Sequence, residues 1–110
     1  MLKLVFFVPE KYKEIVKESV FKAGAGHIGN YSQCCFETKG VGQFCAGDKA
    51  NPFIGKEGVL EFVEEYKVEM VLNEEKYSSV LEALFKSHPY ETPAYEFYQL
   101  YRGNDESEVK

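Results

Sequence analysis

The chain has 110 residues, enough for one domain with its own apolar core and no need of covalent staples. Hydrophobic residues make up 45% and aromatic residues 15%, so a packed interior is feasible. Thirteen basic against 18 acidic residues leave a formal charge of −5, which excludes nucleic acid or an anionic membrane as the main partner, because phosphate recognition needs a basic face.

Leu2–Val8 is an almost continuous apolar run suited to a buried central strand. Pro9 follows at a position where a first helical residue can stand. Tyr12, Ile15, Val16, Ser19, Val20 and Ala23 recur at three- and four-residue spacing and predict a helix over 10–23, ended by Gly24. Gly24, Gly26 and Gly29 spell Gly-x-Gly-x-x-Gly. They follow a helix, whereas dinucleotide binding needs them between a strand and a helix, so that reading is rejected.

Tyr31–Thr38 reads as a second strand, with Cys34 and Phe36 on one face and Cys35 on the other. Lys39 to Gly58 is rich in glycine and predicts an excursion holding a short partner strand, Gln43–Ala46, before the turn Asn51-Pro52-Phe53-Ile54-Gly55. Val59–Leu72 returns as a long strand, with Glu65, Lys67 and Glu69 on one side and Tyr66, Val68 and Met70 on the other. Asn73 is placed to cap a second helix whose stripe is Tyr77, Val80, Leu81, Leu84, Phe85 and His88. Tyr95–Tyr101 alternates as a closing strand. Residues 1–102 thus predict one domain, and 103–110 a flexible acidic tail.

The order is βα, an elaborated hairpin, then αβ, and Glu10-Lys11-Tyr12 echoes Glu75-Lys76-Tyr77 ahead of each helical stripe. Two such halves predict an α+β, ferredoxin-like βαββαβ sandwich with both helices on one face of an antiparallel sheet. In that topology the exit of the second helix shares a rim with the excursion between the middle strands, and Gly24–Asn30 lies at the opposite rim. His27 and His88 are then far apart within one chain.

Three cysteines cannot all pair in one chain, and Leu4–Val8 is too short for a secretory core. A reducing compartment, the cytoplasm, is the expectation. No apolar run approaches the about 20 residues of a membrane helix.

The chemistry concentrates in His88-Pro89-Tyr90-Glu91-Thr92-Pro93-Ala94-Tyr95, where two prolines stop the helix and force an extended exit. Together with Gly24-Ala25-Gly26-x-Ile28-Gly29-Asn30-Tyr31-x-x-Cys34-x-Phe36 and Ala50-Asn51-Pro52-x-Ile54-Gly55, this stretch resembles the NGG-interacting factor three family. More narrowly, it resembles the ferredoxin-like domain that many bacterial members carry between two metal-binding halves. Lys49 departs from the glycine more usual there. The resemblance covers about residues 1–101 and implies a fold related to trimeric cation-tolerance (CutA-type) and nitrogen-signalling (PII-type) proteins. It does not extend to the dinuclear metal centre of the flanking halves, which is not expected here.

Three functional readings follow. The first is a non-enzymatic binding and oligomerisation module, a homotrimer by the resemblance, with a small ligand or divalent metal at a subunit interface near His88, Tyr90, Glu91, Asn51 and Phe53. Against it stands packing: Phe53 and Ile54 can fold back on the core or onto a neighbouring subunit, and His88 can close its helix C-terminus. The second is a small enzyme using His88 and Glu91 as acid and base, with Tyr90 or Asn51 positioning substrate. The third is a metal site across an interface, built from His27 of one subunit with His88 and Glu91 of another.

Overall fold

The computed structural model describes residues 1–101; the expected tail, 103–110, lies outside the described residues. The elements are β1 (Leu2–Pro9), α1 (Glu10–Lys22), β2 (Phe36–Cys45), β3 (Leu60–Leu72), a 3-10 turn (Glu74–Lys76), α2 (Tyr77–Ser87) and β4 (Tyr95–Gln99). The strands form one antiparallel sheet in the order β2-β3-β1-β4. This is the ferredoxin-like sandwich.

Register explains the core. Leu4, Phe6 and Val8 of β1 lie opposite Met70, Val68 and Tyr66 of β3, all on the face that both helices cover. There they meet Val16 and Val20 of α1 and Val80 and Leu84 of α2, each fully buried. Burial of each such side chain contributes about 1.5–3 kcal/mol. Ile15, expected in the α1 stripe, is 58% exposed instead. Its turn lies on the flank of the helix, while Val16 takes the inward position. The outer residues of α2 stack edge-on against β4: Phe85 on Tyr95 at 5.3 Å and Tyr77 on Phe97 at 4.8 Å.

Helix α1 ends in a Schellman motif, with Ala25 N–H bonded to Val20 O and Gly24 N–H to Phe21 O. Gly24 has φ +121°, as that position requires. The segment then docks on the end of β3 through Gly26 N–H to Val71 O at 2.8 Å. A Cβ on Gly26 would stand 2.7 Å from the Phe21 ring, so no other residue fits there.

The second strand differs from expectation. It begins at Phe36 rather than Tyr31, and it runs unbroken through Gly40 and Gly42 to Cys45. Two local features delay its start: Ile28 and Tyr31 exchange backbone bonds in a tight turn, and Gln33 takes φ +58°. Cys34 and Cys35 therefore lie in the lead-in loop, not on opposite strand faces. The glycines do not break β2 because β3 pairs with it along its whole length. Asn73 heads the 3-10 turn, but its side chain makes no capping bond; Lys76 N–H bonds its carbonyl instead, and α2 proper starts at Tyr77.

Strand β1 stops pairing at Pro9 opposite Glu65, so Leu60–Glu64 of β3 pair with β2 alone. The two strands thus project as a ribbon. On its helix side, beyond the helices, Val41, Leu60 and Phe62 are 70%, 51% and 62% exposed. On its other side the ribbon's connecting loop folds back, closed at its base by Gly58 N–H to Ala46 O. Among the described residues, no helix is long and apolar enough to cross a membrane.

Candidate functional site

The exit of α2 and the excursion between β2 and β3 meet at one rim. Asn51 N–H donates to Glu91 Oε1 at 2.9 Å, linking residues forty positions apart. Phe53 stands between Tyr12 at 5.6 Å and Tyr90 at 6.4 Å. These contacts border a cavity of about 450 Å³, lined by Phe7, Phe44, Phe53, Ile54, Glu65, Tyr90, Glu91 and neighbouring small residues. Its walls are mainly apolar, with a few converging polar groups, the usual make-up of a small-molecule site. Of the sequence-derived candidates, Tyr90, Glu91 and Phe53 line this cavity, and Asn51 borders it through its bond to Glu91.

His88 stands apart from that group. It is 6% exposed, its Nε2 donates to Phe7 O at 2.6 Å, and its Nδ1 accepts from Tyr90 N–H at 3.1 Å. Donation at one nitrogen and acceptance at the other define a neutral ring of one tautomer. Burial pushes its pKa below the usual imidazole range, only partly offset by the bond to Phe7. Both nitrogens are occupied, so His88 has none to offer a ligand, and it does not pair with Glu91. The pair that the enzyme reading needs, His88 with Glu91, is thus not hydrogen-bonded in this structure. His88 instead pins the proline-locked exit of α2 to the end of β1.

Glu65 is the residue that sequence reading missed, since it alternates with Lys67 and Glu69 as though on a solvated face. It lines the cavity and accepts a hydrogen bond from Tyr90 Oη at 3.2 Å. Burial raises the carboxyl's pKa, while the Tyr90 bond pulls the other way. Tyr90 is pushed up to about 12, first by burial and then by the Glu65 charge. The signal for Glu65 lay in its partners: Gly40 sits opposite it and Gly42 two places on. A Cβ on Gly42 would meet Glu65 Oε1 at 2.5 Å, so the glycine leaves the carboxylate its space. That pairing depends on register, which alternation alone does not reveal.

His27 is exposed at the opposite rim, in a polar groove with Glu14, Lys17, Phe21 and Cys35. Among the described residues no group of three or more histidines, cysteines or acidic side chains is placed to hold a metal ion.

No family model matches the chain. It is 53% identical over 100 residues to a GTP cyclohydrolase 1 type 2 homolog of Halalkalibacterium halodurans, covering 91% of this chain and 27% of that protein. A Bacillus cereus protein related to NIF3 superposes with a TM-score of 0.75 at 39% identity, over 90% of this chain and 25% of that one. The chain is homologous to a segment of the NIF3-related proteins. NIF3 is the NGG-interacting factor three family, which the sequence motifs resemble. This NIF3-related domain spans about a quarter of the length of the relatives it matches. Its fold extends further: CutA1 from Pyrococcus horikoshii superposes with a TM-score of 0.70 over 97% of this chain and 90% of that one, at 16% identity.

Proposed function

We propose that this NIF3-related domain is a binding and oligomerisation module, not a catalyst. The observation that carries the reading is the projecting ribbon, whose Val41, Leu60 and Phe62 are exposed on a face that no element among the described residues covers. Large apolar side chains clustered on an outer face favour association. Edge strand β2, unpaired on one side, adds backbone groups that a second copy can use. The fold likeness to CutA-type proteins favours a homotrimer; residues 1–102 are read as one domain, and three unpaired cysteines favour the cytoplasm. The rim cavity supports small-molecule binding as the module's second role. Any activity of the longer NIF3-related proteins belongs to chains of which this domain matches a quarter.

Size-exclusion chromatography with light scattering tests the association. The expected mass is a multiple of 12.6 kDa, three copies for the trimer. A clean monomer at about micromolar concentration, where specific interfaces of standard size are populated, removes the reading.

A further inference from the structure

Resting on the reading of the rim cavity as a binding site, the geometry points to its ligand class: we infer that it takes a small organic cation, an ammonium or amidinium group on a flat apolar body. Two carboxylates, Glu65 and Glu91, line the cavity, and no lysine, arginine or histidine does. Glu91 is anchored by the Asn51 N–H. Glu65 Oε2 accepts from Tyr90 Oη, and Oε1 lies over the Gly42 backbone, where no side chain intervenes. Glu65 is partly buried in a wall that includes Phe7 and Phe44, and a cation relieves its loss of hydration by pairing with it, while Glu91 stays exposed at the cavity's edge. The aromatic rings add attraction for a cation's positive face and room for a planar body. The same two carboxylates repel phosphate- or carboxylate-bearing ligands.

Three probes of similar size separate the charge from the cavity: benzamidine as cation, benzyl alcohol as neutral body and benzoate as anion, each titrated into the full chain and followed by amide NMR. Benzamidine is expected to shift the amides of Gly42, Glu65, Tyr90 and Thr92 saturably, with at least about tenfold tighter binding than benzoate. Glu65→Gln should lower the benzamidine affinity toward that of benzyl alcohol, Glu91 remaining, while leaving the alcohol's unchanged. Equal affinities for the three probes in the wild-type protein overturn the cation assignment and leave the cavity as a binding site. No saturable shift from any of them overturns the cavity reading itself. Should Glu65→Gln fail to fold, the wild-type ranking of the three probes still decides, and Gly42→Ala, which crowds the same carboxylate, should weaken benzamidine selectively.

Discussion

His88 Nε2 lies 2.6 Å from the carbonyl oxygen of Phe7, a bond between the exit of α2 and the end of β1 across 81 residues of chain. It holds the rim together: the next strand entry, Phe7 N–H to Ala94 O, and the turn at Tyr90 both build on it. His88→Ala leaves the part-buried Phe7 carbonyl and Tyr90 amide without these partners and removes a buried side chain. Urea denaturation should show a loss of about 2–4 kcal/mol, with the secondary structure of the remaining fold retained.

The same bond sets a pH dependence. The folded protein holds His88 neutral, with its pKa below the ordinary value of 6.5. A depressed folded pKa means that the unfolded chain takes up the proton first as pH falls. This contribution to stability is complete above about pH 6.5 and is lost as pH drops through the lower folded value. A stability profile measured from neutral to mildly acidic pH should fall in the wild-type protein, and His88→Gln should flatten that limb. A profile of identical slope in both proteins would contradict the neutral tautomer.

The Tyr90–Glu65 pair has a spectroscopic signature. One tyrosine should ionise near 12, above the ordinary value of 10.0, because burial and the adjacent carboxylate both oppose the phenolate. In an alkaline ultraviolet titration that late step should vanish in Tyr90→Phe and move toward lower pH in Glu65→Gln.

Gly26 separates conformation from space. Its φ is +86° and a Cβ would clash with Phe21, whereas Gly29 at φ +56° has nothing within 4 Å. Gly26→Ala should therefore destabilise by about 2–4 kcal/mol, combining left-handed strain with overpacking. Gly29→Ala should lose only the conformational part, about 1–2 kcal/mol. Thermal melts of the two variants provide the comparison.

Phe62→Glu tests the ribbon face. The ring is 62% exposed in one chain, so the single-chain fold should survive with an unchanged circular dichroism spectrum. Light scattering should show the mass falling to that of a monomer. An unchanged mass would place the association elsewhere.

The sequence by itself determined the alternation of elements, the helix faces and the meeting of two distant segments at one rim. Those follow from periodicities of 2 and 3.6, from prolines that end α2 and from glycines that end α1, all of which are local physics. The start of β2 was not legible, because Tyr31–Cys35 carries enough apolar residues to read as strand, while the backbone exchange between Ile28 and Tyr31 and a positive φ at Gln33, which is not a glycine, leave no mark in the sequence pattern. The role of His88 was not legible either: a histidine at a helix end looks the same whether its nitrogens face a ligand or a backbone carbonyl 81 positions away. Glu65 shows the limit most clearly. Its alternation with Lys67 and Glu69 is that of a solvated strand face, and only the register with Gly42 turns it into the wall of a cavity. Pairwise register between strands distant in sequence is set by burial of the whole opposite face, and so it was decided only when the chain folded.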